Sequence, residues 1–423
     1  MFLEIELVYF LVMIAVFVVA LVVFKVHAGL ALMLSAVVGA LISGNGIPFR
    51  HLMEGTFGYF DTLMIIITAM IFMQGLQESG ALKYLTLKIL DKLYNKPILL
   101  LLSLMLVLMF PGMITGSSLA AIVSSGVLLA PIMIKLGIPK VKVGAMIAFC
   151  ATLGMVAPPI NVPVMVICDI VDMPYIGFTM PLLLLSLPLA VFTTLFFGYK
   201  HVRKVDYELI RQEIEDGKKE NLHWTVIIPL LVLVVLIVGQ NVFPQVLGKM
   251  GLPLVFVISA LLTVFFGKKA NLITISKEGV YKSFGAIALL MGVGMFVQII
   301  TLNGVRGYFV INALSLPNVL QIVSIGVTLP LFGGISAFGS ASVLGGPFVM
   351  AMLSSNQIVV ASSLSLIASL GEFLPPTAMS ATFSAKAVDE EKYLKITKIS
   401  LIPLGVSLVY GLLFVSVIAQ LWR

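Results

Sequence analysis

Leu153-Gly154-Met155-Val156-Ala157-Pro158-Pro159-Ile160-Asn161 and Leu370-Gly371-Glu372-Phe373-Leu374-Pro375-Pro376-Thr377 are the two stretches that decide how this chain is read. Each sets a tandem proline inside a long apolar run, 143–168 in the first case and 357–386 in the second. Tandem proline removes two backbone donors and clashes with the preceding turn, so each run is expected to be a helix broken partway along. From glycine to glycine the two stretches lie 217 residues apart in a chain of 423.

Further matches flank them in the same order. Gly29-Leu30 pairs with Gly251-Leu252, Glu54-Gly55 with Glu278-Gly279, Gln74 with Gln298, Gly80 with Gly304, and Gly116-Ser117 with Gly339-Ser340, at offsets of 222 to 224 residues. Each match alone is weak, but chance matches would not keep one order at one spacing. The chain therefore reads as two repeats, 1–198 and 224–423, joined by a charged loop over 199–223.

Composition sets the solvent. Hydrophobic residues make up 60% of the chain and charged residues 11%, and the mean hydropathy is +1.14. Soluble domains carry about 45–50% apolar and about 25% charged residues. The balance excludes an ordinary soluble enzyme, a disordered protein and a nucleic-acid binder, despite a net charge of +7. Apolar runs recur along the whole chain, and in a bilayer they must satisfy their own backbone groups, so they are expected to be helices. Cys150 and Cys168 lie inside apolar runs and lack metal-ligand spacing, while the four histidines flank such runs. The first run, Leu7 to Phe24, follows Glu4 and Glu6 rather than basic residues, so it is read as a retained span and not a signal peptide.

Charge bias gives a direction. Lys83–Lys96, Lys135–Lys142, the 199–223 loop, Lys268–Lys282 and Lys386–Lys398 are basic, which places them in the cytoplasm. Asp169 and Asp172 then fall outside. Because the first two clusters share a side, the run over about 97–136 must enter and return on that side, as two full spans or a re-entrant hairpin; the short, apolar turn at Thr115-Gly116-Ser117-Ser118 favours a hairpin with its tip there. Leu82–Tyr94 suits an interfacial helix leading into it. The second hairpin is expected over about 319–353, with its tip at Ser336 to Ser342. Loops equivalent in the two repeats carry opposite charge bias, so the repeats are inverted. Ten crossings, two hairpins and external termini follow, in a multi-pass protein of the cytoplasmic (inner) membrane.

Inverted repeats with broken helices mark many secondary transporters. Carbonyls freed by the breaks, together with hydroxyl and amide oxygens, suit a hard cation. Candidate cation positions are Gly116, Ser117, Ser118, Gly154 and Asn161 in the first repeat, and Gly339, Ser340, Ser342, Gly371 and Thr377 in the second. Ser118, Asn161, Ser340, Ser342 and Thr377 are candidate substrate contacts, since helix N-termini after each break offer N–H groups to a carboxylate. Close helix packing is the competing explanation for any one of these small residues. Glu372 is an acid within an apolar run. It could carry a proton, complete a cation shell or bond a neighbouring helix. Gln74 and Gln298 suit helix packing. No P-loop occurs, and no buried Ser/His pair suggests a hydrolase, so an enzyme or a channel is the weaker reading.

At these residues the chain resembles the large membrane (permease) subunit of tripartite ATP-independent periplasmic (TRAP) transporters, in the ion-transporter superfamily. The resemblance is best across 29–200. It rests on Met113-Ile114-Thr115-Gly116-Ser117-Ser118-Leu119-Ala120, on Ala130-Pro131-Ile132-Met133 and on Leu153 to Pro159. The second half matches more loosely, with Phe338 to Ser342 and Leu374-Pro375-Pro376-Thr377 standing where the family usually reads T-P-P-V-G. The resemblance implies an all-α elevator in which a transport domain carrying both hairpins slides past a scaffold. It implies two sodium sites, uptake of a small organic acid, and two partners, a small membrane subunit and a periplasmic substrate-binding protein. Family members usually hold carboxylates with an arginine. None lies near these tips, so the expected anchors are backbone N–H groups. A proton-coupled or standalone carrier of a non-carboxylate stays open, as does a homodimer.

Overall fold

The computed structural model describes residues 4–202, 215, 223–242, 245, 250–267 and 271–422. Most of the 199–223 loop lies outside the described residues, as do Lys268 and Lys269. Among the described residues there is no strand, and seven helices are long and apolar enough to cross a membrane. The chain is an all-helical, multi-pass membrane protein.

The first half runs α1 (Ile5–Val22), α2 (Ala28–Ile42), α3 (Phe49–Phe57), α4 (Phe60–Glu78), α5 (Ala81–Leu93) and α6 (Pro97–Thr115). It continues through α7 (Ser118–Lys135), α8 (Lys140–Val156), α9 (Val162–Ile170) and α10 (Thr179–Val202). The second half runs α11 (Trp224–Gln240), α12 (Leu252–Phe266), α13 (Leu272–Leu302), α14 (Val305–Ser315) and α15 (Asn318–Gly333). It ends with α16 (Ala337–Ala351), α17 (Gln357–Phe373), α18 (Met379–Ala387) and α19 (Tyr393–Leu421).

The expected breaks are present, and several local features occur in both halves. Gly80 and Gly304 both take left-handed backbone, at φ 76° and 80°, and each opens a short helix, α5 or α14. The arms α7 and α16 both carry a π turn, at Ile122–Gly126 and Ala341–Gly345. Pro158-Pro159 and Pro375-Pro376 separate α8 from α9 and α17 from α18.

Two positions in the sequence reading move. The second break falls at Gly334 to Ser336, because Ser336 caps α16 by accepting from the Gly339 N–H at 3.0 Å. Its counterpart is Ser117, which caps α7 by accepting from the Ala120 N–H at 3.3 Å. Ser340 and Ser342, expected at the tip, therefore stand inside α16, and the Gly-Ser pairing is out of register by four residues. Lys277 and Lys282, expected in a loop, lie on α13. Asn271 caps that helix by accepting from the Ile273 N–H, so it starts twelve residues before the apolar run at Phe284.

The helices sort into two cores. In one, α13 packs on α2, α3 and α4, and α12 packs on α4. In the other, α8 packs on α6, α10 and α18, and α17 packs on α15 and α19. Ile114, Ile160, Ile335 and Phe338, from the two tips and one proline loop, belong to the first core although much of their surroundings belongs to the second. The cores meet at the breaks.

Candidate functional site between the two cores

Within the second core, glycines let the broken helices touch backbone to backbone. A Cβ on Gly154 would lie 2.4 Å from the Met109 carbonyl oxygen, and one on Gly371 would lie 2.4 Å from that of Pro330. These contacts join α8 to α6 and α17 to α15 in the same way. Gly154 and Gly371 thus have a packing reason to be glycine. Each tip is also sewn to its proline loop. The Ile160 N–H donates to the Met113 carbonyl at 3.2 Å, and the Thr377 N–H donates to that of Gly334 at 3.2 Å.

Side chains complete the stitching. Asn161, fully buried, caps α9 by accepting from the Val164 N–H at 2.9 Å. Its amide donates to the Val156 carbonyl at 2.8 Å and to Ser365 Oγ at 2.9 Å. Thr377 Oγ1 donates to the Gly334 carbonyl at 2.8 Å, and Ser340 Oγ donates to the Leu329 carbonyl at 2.8 Å. Gly116 ends α6 in the left-handed region at φ 61°. These groups hold the breaks in shape. Their oxygens are of the type that hard cations prefer. Here the three side chains donate to carbonyls, and the Ser340 and Thr377 hydroxyls keep oxygen lone pairs beyond those bonds. Among the described residues no cluster of three or more His, Cys, Asp or Glu could hold a metal ion.

A cavity of about 270 Å³ opens where the two cores meet. Of the sequence candidates, Ser117, Ser118 and Glu372 line it. Gly116, Gly154, Asn161, Gly339, Ser340, Ser342, Gly371 and Thr377 do not. Glu372 is buried, and its Oε2 accepts from Ser118 Oγ at 2.6 Å and from Ser380 Oγ at 2.5 Å. Thr152 and Ser380 hydroxyls lie 2.9 Å apart. A row of polar groups therefore runs from α8 through α18 and Glu372 to the first tip, crossing between the halves. Thr152 and Ser380 carried no signal in the sequence beyond being hydroxyls in apolar helices.

The other wall comes from the first core. Gln74 and Gln77 on α4, Lys282 on α13 and His27 at the start of α2 line the cavity, with Met70, Met73 and Leu289 between. Lys282 Nζ donates to Gln74 Oε1 at 2.6 Å and to Gln77 Oε1 at 3.1 Å. The Gln74 amide donates to Glu78 at 2.9 Å. Gln74 thus serves a lysine at the cavity, not a helix-packing contact with backbone. The sequence reading passed over Lys282 because it counted as loop. The signal was its place two residues before the apolar run.

Known proteins agree with this architecture. Residues 2–202 match the model of the family described as Tripartite ATP-independent periplasmic transporter, DctM component. The crystal structure of the Alcanivorax borkumensis YdaH transporter, described as having an unusual topology, is similar in fold. It has a TM-score of 0.60 and 14% identity, with 89% of each chain covered. No curated protein matches the chain. The family's name describes a three-part transporter of which DctM is one component. The matched residues are similar to a transporter component, and the fold is similar to that of a solved transporter. Over residues 2–202 the chain is similar to the DctM component of the tripartite ATP-independent periplasmic transporters, the likeness that its first tip and first proline break suggested.

Proposed function

We propose that the chain is a secondary transporter of the cytoplasmic membrane that couples uptake of a small organic acid to sodium and works as an elevator. The observation that carries this reading is the cavity. Its walls come from both hairpin tips and Glu372 on one side, and from α2, α4 and α13 on the other. A cargo held there touches both cores, so movement of one core past the other would carry it. The two separate cores are consistent with a scaffold and a moving body. The matched stitching of each tip to its proline loop supports two equivalent cation sites, one per half, and an inverted relation between 1–198 and 224–423. Hydroxyl and carbonyl oxygens at those junctions would take sodium as cargo. The small membrane subunit and the periplasmic binding protein would join from outside this chain.

Sodium binding is the direct test. A ligand at ten times its Kd stabilises the folded state by about 1.4 kcal/mol. The purified chain in detergent should melt at higher temperature in sodium chloride than in potassium chloride at equal ionic strength. Ser117→Ala and Ser340→Ala should shift that response to higher sodium. Identical melting in the two salts removes sodium from the reading.

A further inference from the structure

The transport reading leaves open what kind of acid the cavity takes, and the first-core wall bears on that. Lys282 Nζ spends two N–H groups on Gln74 and Gln77, and the third is free for a ligand. Among the described residues no carboxylate bonds it directly, and the Glu78 carboxylate reaches it only through the Gln74 amide. His27 lies at the same end. Its Nδ1 accepts from the Gly29 N–H at 3.2 Å, which puts the ring proton on Nε2. A Cβ on Gly285, one helical turn from Lys282, would lie 3.6 Å from that Nε2. An ammonium N–H and an imidazole N–H thus share one end of the cavity. The middle is apolar, with Met70, Met73, Leu289, Phe338 and Met379. On the opposite wall stands Glu372, already an acceptor for two hydroxyls.

We propose that Lys282 and His27 form the anion-binding end of the cavity, and that the cargo is a small monocarboxylate with an apolar body. A single cationic end accounts for one carboxylate. The thioethers and Phe338 suit a hydrocarbon body. A second carboxylate at the far end would lie beside Glu372, where the Ser117, Ser118 and Ser336 hydroxyls already serve helix caps or Glu372 itself, and like charges repel strongly where water is scarce. At about 270 Å³ the space is below the range typical of drug-sized ligands, about 300–1,000 Å³. This proposal rests on the transporter reading for its meaning, but binding alone tests it.

The probes are hexanoate, succinate and the uncharged hexanamide, titrated calorimetrically into the purified full-length chain in sodium chloride. Hexanoate should bind at least about tenfold more tightly than either of the others, because a hydrogen bond to a charged group is worth about 1.5–3 kcal/mol. Lys282→Gln should weaken hexanoate binding by about 10- to 100-fold and leave hexanamide unchanged, while Lys282→Arg should stay within about threefold of wild type. The wild-type ranking stands on its own if the Gln variant folds poorly. Succinate binding as tightly as hexanoate overturns the proposal. So does hexanamide binding equally well, hexanoate failing to bind, or Lys282→Gln binding hexanoate like wild type. Sodium-driven uptake separates the two readings. Lys282-dependent hexanoate binding with no sodium response leaves the anion end standing and removes the coupling. Sodium-driven uptake indifferent to Lys282→Gln does the reverse.

Discussion

Glu372 offers the sharpest test of how the halves are tied together. Its Oε2 takes hydroxyls from Ser118 and Ser380 at 2.6 and 2.5 Å. Such distances belong to bonds accepted by a carboxylate, about 2.5–2.7 Å. Ser118→Ala removes one donor, and a bond to a charged group is worth about 1.5–3 kcal/mol. Glu372→Gln keeps an acceptor at neutral strength, about 1 kcal/mol per bond, so the Ser118 bond should fall by about 0.5–2 kcal/mol. Loss of the buried charge offsets part of that in the single variant, because an isolated charge is costly to bury. The cycle of Ser118→Ala, Glu372→Gln and the double variant cancels that offset. The coupling should be about 0.5–2 kcal/mol, read from reversible unfolding in mixed detergent. Additivity within about 0.5 kcal/mol would refute the tie. Function separates the roles left open for this acid. A purely tying Glu372 predicts that the Gln variant keeps the wild-type response of uptake to sodium and to pH. A flattened sodium response assigns it to a cation shell, and loss of pH dependence assigns it to proton transfer.

Two further outcomes follow. Asn161→Ala loses a helix cap and leaves the buried Val156 carbonyl without its donor, so it should cost about 2–4 kcal/mol in the same unfolding assay; Gly154→Ala, pressing on the Met109 carbonyl, should cost about 1–3 kcal/mol. Wild-type stability in both would mean that the breaks are not held as described. In intact cells, a membrane-impermeant thiol reagent should label Val171→Cys and not Lys218→Cys, against a low background because Cys150 and Cys168 are buried. The opposite pattern would reverse the orientation drawn from the lysine bias.

What the sequence disclosed was what chain-local chemistry controls. Tandem proline interrupts a helix, so Pro158-Pro159 and Pro375-Pro376 were expected to be breaks, and their shared order with Gly80 and Gly304 is what suggested a repeat. The second tip was misplaced because Gly339-Ser340 looks like Gly116-Ser117, whereas the equivalence that counts is the capping hydroxyl, Ser117 with Ser336. Cap identity depends on which N–H the hydroxyl meets, and residue type alone does not reveal that. Asn161 is a candidate ligand by residue type, since an amide oxygen beside freed carbonyls has the right chemistry. In the fold its donors and its oxygen all bond protein partners. Lys282 was hidden for a different reason. Its partners, Gln74 and Gln77, are more than two hundred residues away, and a lysine beside a span reads as an interfacial charge until the far helix is placed.

That separation also bears on how the cargo would be released. Ser118, Glu372 and Ser380 belong to helices of the second core and are bonded to one another, so they would move together. Lys282, His27 and Gln74 belong to helices of the first, where α13 packs along α2 and α4. On the elevator reading, an acid lying between them has its charged end on the stationary body and its other end on the moving one. Sliding by even one helical turn, about 5.4 Å, would exceed hydrogen-bond reach at Lys282. The charge anchor would then act where loading occurs and be lost along the stroke, so the same contact that selects the acid would loosen it for release. A carrier built this way needs no separate gate over the anion. It does need the polar row through Glu372 to stay intact during the stroke, which makes the Ser118 tie as consequential for transport as the lysine is for recognition.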